Sequence, residues 1–170
     1  MGAPVTIDAF ALDGELRAFA HRAVEERPAS VDADPWRQTF HIQPPVGLLN
    51  DPNGLVQHRG TYHLCYQWHP FAAKHALKFW AHLTSTDLVH WTEQPIALAP
   101  SHDYESHGCY SGSGIVHEGA VRFLYTGNVR TPVGGRTPFQ LMATVDPAGR
   151  VIKHHSNPLV GAIPGCTAHV

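Results

Sequence analysis

At 170 residues, with 43% hydrophobic and 15% charged side chains, the chain has the size and balance of one domain, or part of one, in an ordinary globular protein. A formal net charge of −2 and the lack of any basic run exclude nucleic acid as a partner, because neutralising several phosphates takes clustered Lys and Arg. No apolar stretch nears the roughly 20 residues of a membrane helix, and no basic region leads into an apolar segment at the N-terminus, so neither a membrane nor an ordinary signal peptide is expected.

Cys65, Cys109 and Cys166 form no Cys-x-x-Cys pair and are odd in number, which argues against a disulfide framework or a thiolate zinc site and points to a reducing cytoplasm. Fourteen histidines raise the question of a metal. His154 and His155 are adjacent, His58 and His63 five apart, and no His-x-x-x-His lies on a helical stretch, so abundance comes without ligand geometry. No metal and no other cofactor is expected.

Over residues 8–27, Leu12, Leu16, Phe19 and Ala23 recur at helical spacing with Arg, His and Glu between them, which predicts one amphipathic helix. It either docks another part of the molecule or covers a local apolar patch. Pro28 stops it, and 28–35, rich in Ala, Asp and Ser, reads as a linker. From Trp36 onward, short β-branched and aromatic runs alternate with turn dipeptides. Residues 54–57 and 61–68 flank His58-Arg59-Gly60; 112–117 and 120–127 flank Glu118-Gly119; 139–145 and 150–154 flank Asp146-Pro147-Ala148-Gly149. These are three hairpins. Residues 79–85 form a further strand, and Asp87-Leu88-Val89-His90-Trp91 a turn ending in one. The class is all-β; the spacing alone leaves sandwich, barrel and propeller open.

The most pointed segment is Gly47-Leu48-Leu49-Asn50-Asp51-Pro52-Asn53-Gly54, with the turn signals Asp-Pro and Asn-Gly at the entry to a strand. By itself this could be punctuation. Followed by Tyr66-Gln67-Trp68, Trp80 and Tyr110-Ser111, it belongs to a mixture of acid, amide, hydroxyl and flat aromatic surface that suits a sugar, whose hydroxyls need hydrogen bonds and whose C–H faces lie on rings.

Through these residues the chain resembles glycoside hydrolase family 32, whose opening signature is Trp-Met-Asn-Asp-Pro-Asn-Gly. The likeness runs over 40–128: His41-Ile42-Gln43-Pro44-Pro45 precedes the signature and Tyr62-His63-Leu64-Cys65-Tyr66-Gln67-Trp68-His69-Pro70-Phe71 follows it. Trp80-Ala81-His82, Asp87-Leu88-Val89-His90-Trp91, Ser111-Gly112-Ser113-Gly114 and Tyr125-Thr126-Gly127 come after in order. The resemblance implies a five-bladed β-propeller with its site in the central funnel, and a retaining mechanism on a β-fructoside such as sucrose, sucrose 6-phosphate or a short fructan. It makes Asp51 the nucleophile and has Asn50 and Gln67 bind fructose hydroxyls, with Tyr110 and Ser111 lining the pocket. Trp80 is either funnel wall or buried core.

Leu48 and Leu49 replace the Trp-Met of the signature, and His75 stands where many extracellular relatives carry a pocket tryptophan, on the leaving-group side. The family's later Arg-Asp-Pro and Glu-Cys motifs are absent; Gly165-Cys166-Thr167-Ala168-His169-Val170 resembles the run before the first of them. Asp103, Glu105 and Glu118 match no catalytic position of the family. The expectation is therefore an incomplete propeller, its first two blades and part of the third, with a helical extension and linker at 1–38 and the partial propeller at 39–170. A chain so truncated is expected to be inactive alone. A non-catalytic sugar-binding module, a blade-built interaction protein and a fructosyltransferase are the alternatives.

Overall fold

The computed structural model describes residues 8–38 and 40–161. The first helix, α1 (Ala9–Glu25), begins where the Asp8 side chain accepts the Phe10 N–H at 3.0 Å, satisfying a donor that the helix itself leaves unpaired. Ala20 on this helix is fully buried, with Leu16 and Val24 packed beside it, so the stripe at i, i+4 and i+8 faces inward. Phe19, expected on that stripe, is 53% exposed and lies under the Arg22 guanidinium instead. The helix is oriented by Arg17, which donates to the carbonyls of Ile96 and Ala97. The stretch read as a linker after Pro28 contains a single helical turn, α2 (Ala29–Asp32).

Eight strands follow: β1 (Leu48–His58), β2 (Thr61–His69), β3 (Phe79–Ser85), β4 (Thr92–Leu98), β5 (Cys109–His117), β6 (Ala120–Arg130), β7 (Arg136–Val145) and β8 (Val151–Lys153). They form two four-stranded antiparallel sheets, β1-β2-β3-β4 and β5-β6-β7-β8. All three expected hairpins are present. Together they supply six of the eight strands in these two sheets, and the described residues hold no strand of a third. Asp87-Leu88-Val89-His90-Trp91 is a turn: Asp87 Oδ1 accepts from the Val89 and His90 amides at 2.9 and 2.8 Å, and β4 begins just after it.

Alternation sorts the side chains into two layers. Between the sheets lie Cys65, Trp80, Leu98, Phe123, Tyr125 and Leu141, with Trp80 edge-on to Phe123 at 6.0 Å between centroids. On the other face of the first sheet, Tyr66, Trp68, Phe79, Leu83 and Ile96 pack against α1 and against Ile42 and Val46. The helix thus docks on the first sheet, and its Asp13 also reaches Lys153 on β8 of the second.

Beside the core between the sheets, where the segment after β4 meets β8 and α1, lies a polar knot. Glu105 is fully buried, ends a short 3₁₀ turn, and accepts from the Ser101 amide at 3.0 Å and the Tyr125 hydroxyl at 3.1 Å while pairing with Lys153. Burial by itself raises its pKa, but hydrogen bonding by His102 and the Lys153 ammonium outweigh this and hold the carboxyl well below its usual range.

Candidate active site

The Asp-Pro and Asn-Gly pairs do not turn the chain. β1 runs straight through them and absorbs them as two bulges, between Leu49 and Pro52 and between Asn53 and Val56. In the first bulge Asn50 and Asp51 together face the single residue Gln67 on β2, since Leu49 pairs with Trp68 and Pro52 with Tyr66. β5 has a bulge of its own: Tyr110 pairs with Thr126 and Gly112 with Tyr125, leaving Ser111 as the extra residue. A bulge re-aims the residue it inserts. Here the two bulges turn Asp51 and Ser111 toward each other across the junction of the sheets.

The resulting contacts form a closed triangle. Ser111 Oγ donates to Asp51 Oδ2 at 3.0 Å, and Gln67 Nε2 donates to the same oxygen at 3.2 Å and to Ser111 Oγ at 2.9 Å. Oδ1 of Asp51 accepts no hydrogen bond from the described residues, and the residue is exposed. One oxygen is fixed and the other is open. Asn53, which the sequence analysis left out of the site, holds the arrangement from below: its Nδ2 donates to the Asp51 carbonyl at 2.7 Å and its Oδ1 accepts the Gly112 amide at 2.9 Å, stitching β1 to β5. Its place within the signature was the available clue.

Asn50 sits beside Asp51, with Nδ2 3.5 Å from His75 Nε2 and Oδ1 bonded by Lys78 Nζ. Lys78 is a second residue that sequence reasoning missed. It is 2% exposed; burial lowers its pKa and the Asp51 carboxylate pulls it back up. A lone lysine at the head of the apolar Phe79-Trp80 pair was the only hint. Tyr110 is half-buried, with the Arg136 guanidinium 5.5 Å above its ring. Trp80 does not reach the site: it is fully buried between the sheets, so of its two readings the structure takes the core.

The other acids named from sequence stand apart. Glu105 is committed to its buried knot, and Glu118 bonds Arg122 at the β5–β6 turn, the far end of β5 from Ser111. Concave spaces of about 370 and 390 Å³ are lined by none of the triangle's residues; the carboxylate stands at an open edge. A carboxylate with one oxygen anchored and one free suits nucleophilic attack, with the Asn50 amide beside it able to donate to a polyhydroxylated ligand.

The family described as "Glycosyl hydrolases family 32 N-terminal domain" matches residues 41–170. The sucrose-6-phosphate hydrolase of Bacillus subtilis (strain 168) is 44% identical over 158 residues, 92% of this chain and 32% of that protein. The sucrose-6-phosphate hydrolase of Klebsiella pneumoniae is 44% identical over 159 residues, 94% of this chain and 34% of that one. Among solved structures, sucrose-6-phosphate hydrolase from Lactobacillus gasseri superposes with a TM-score of 0.76 at 36% identity, over 84% of this chain and 29% of its own. The chain spans about a third of the length of the curated relatives it matches.

Proposed function

This chain belongs to glycoside hydrolase family 32, and from that premise we propose that it is the nucleophile-bearing part of an enzyme that hydrolyses β-fructofuranosidic bonds, with sucrose and sucrose 6-phosphate as substrates. The observation that carries the proposal is the asymmetric Asp51 carboxylate, one oxygen held by Ser111 and Gln67 and the other open. The two sheets are the first two blades of a five-bladed propeller, with β1 and β5 innermost. The family match beginning at residue 41 supports a division between 38 and 39, with α1 and α2 before it and the eight strands after it.

In the proposed reaction the open oxygen of Asp51 bonds to the anomeric carbon of the fructosyl unit as the bond to the glycosidic oxygen breaks. That oxygen takes a proton from a second carboxyl group, and the product is a fructosyl ester on Asp51. Water then gives a proton to the same second group and attacks the anomeric carbon, releasing fructose and the Asp51 carboxylate. Asn50 donates to a fructose hydroxyl and Gln67, whose two Nε2 hydrogens are held by Asp51 and Ser111, accepts from one through Oε1; Tyr110 and Ser111 line the pocket, and His75 faces the leaving group. In such pairs the carboxyls stand about 5–5.5 Å apart, with no room for an intervening water. Neither Glu105 nor Glu118 meets that need, so the acid/base comes from the remainder of the enzyme. Sucrose 6-phosphate is favoured by the names of the relatives.

The test is hydrolysis of sucrose and sucrose 6-phosphate by the whole enzyme and by its Asp51→Asn form. We expect turnover by the first and a loss of roughly a thousandfold or more in the second, because no other group makes the covalent bond. Undiminished turnover by Asp51→Asn would contradict the proposal.

A further inference from the structure

Lys78 is an ammonium placed just before β3, in a setting built for apolar side chains, and it is 2% exposed. A buried cation persists only where hydrogen bonds and an opposite charge offset its lost hydration. Both are present. Nζ donates to Asn50 Oδ1, and the next residue along, Asp51, brings a carboxylate near enough to oppose the effect of burial on the amine.

The backbone of Lys78 is pinned as firmly as its side chain. Its carbonyl accepts the amide of Cys109, the first residue of β5, at 2.8 Å. Gly108 has φ +128°, and a Cβ there would stand 2.7 Å from the Lys78 nitrogen, so the approach to β5 is moulded against this residue. One lysine therefore ties the strand bearing Ser111, through its backbone, to the strand bearing Asn50 and Asp51, through its side chain.

An asparagine amide presents either a donor or an acceptor to a ligand, depending on which way it is turned. An ammonium only donates. By claiming Oδ1 it leaves Nδ2 facing outward, on the side of His75. We propose that Lys78 is a positioning residue of the fructosyl site, fixing the Asn50 amide so that Nδ2 meets a sugar hydroxyl. This rests on the reading of Asp51 as nucleophile.

The experiment is a double-mutant cycle in the whole enzyme, with kcat and KM for sucrose 6-phosphate measured for wild type, Lys78→Met, Asn50→Ala and the double variant, and folding followed by circular dichroism. Lys78→Met keeps the length and volume of the chain while removing donor and charge. We expect it to lower kcat/KM about tenfold or more, mostly through kcat, and to cost less than about threefold once Asn50 is alanine, the signature of two residues acting as one unit. Lys78→Gln, which keeps a donor without the charge, should fall between wild type and Lys78→Met, and it takes the place of Lys78→Met in the cycle if that variant does not fold. An active wild type whose kcat/KM is changed less than about twofold by Lys78→Met, or equally with and without Asn50, overturns the role of Lys78 and leaves the enzyme assignment standing. A wild type that cleaves neither sucrose nor its 6-phosphate removes the assignment itself, and this inference with it.

Discussion

Gln67 and Ser111 both direct their donors to Oδ2 of Asp51, which leaves Oδ1 without a hydrogen bond from the described residues and open for the nucleophilic role proposed above. Elsewhere, one buried residue makes the molecule sensitive to pH. His82 is 3% exposed, and burial, reinforced by the neighbouring His63, lowers its pKa from 6.5 to about 4. The two rings share a 3.0 Å hydrogen bond. Because the folded pKa lies below the unfolded one, the unfolded chain takes up the proton first as pH falls from 6.5 toward 4, and stability is lost across that window. Between pH 7 and pH 5 the loss from this group is on the order of 2 kcal/mol. Denaturant midpoints at the two pH values should show it, and His82→Phe should flatten the dependence; an equal slope in the variant would refute the assignment. At this scale the sequence was informative about Asn50, Asp51, Gln67 and Ser111, because their chemistry sits in recognisable runs. Lys78 escaped because no periodicity tells whether a lysine bends outward or lies buried, and Trp80 stayed open because aromatic rings serve funnels and cores alike.

Bulges are what local composition conceals. Asp-Pro and Asn-Gly look like turn punctuation, yet in β1 each marks a residue added to a continuing strand. Gly54, with φ +61°, belongs to the second bulge, and a Cβ on it would come 3.0 Å from the Phe123 ring and 3.3 Å from Trp80. Gly54→Ala is therefore expected to cost about 1–3 kcal/mol, from both the backbone region and the contact; a melting temperature equal to that of the wild type would show the bulge to be unstrained. The sequence reads as a turn at 87–91 ending in a strand; β4 runs on from there to Leu98 and contains Pro95. The proline is tolerated because β4 is an edge strand whose pairing with β3 is already irregular between Trp80 and His82. The helix was legible, but its facing was not, because Arg17 fixes it through two distant carbonyls. The Glu105 knot also joins elements distant in sequence: Lys153 on β8 bonds the Ala99 carbonyl at 2.5 Å and pairs with Glu105 and, at 3.7 Å, with Asp13 on α1. Glu105→Gln leaves that buried ammonium without its main counter-charge and should destabilise the fold by about 3–5 kcal/mol. Thermal denaturation measures it, and a change within experimental error would mean that the knot is neutral.

For the molecule as a whole, packing and chemistry follow from one arrangement. Two sheets pressed together through Trp80, Phe123 and Tyr125 set β1 beside β5, and their facing bulges place Asp51 and Ser111 within hydrogen-bonding distance. The order of strands was readable from hairpin spacing, whereas the meeting of β1 with β5 depends on packing between residues far apart in the chain. With the proposed function, that meeting makes a single prediction: the fructosyl unit of the substrate passes through a covalent bond to Asp51. The direct measurement is rapid acid quenching of the whole enzyme during turnover of sucrose 6-phosphate, followed by peptide mass spectrometry. One hexosyl unit is expected on the peptide containing Asp51, localised to that residue by fragmentation. A hexosyl unit bound at another side chain during active turnover would contradict it.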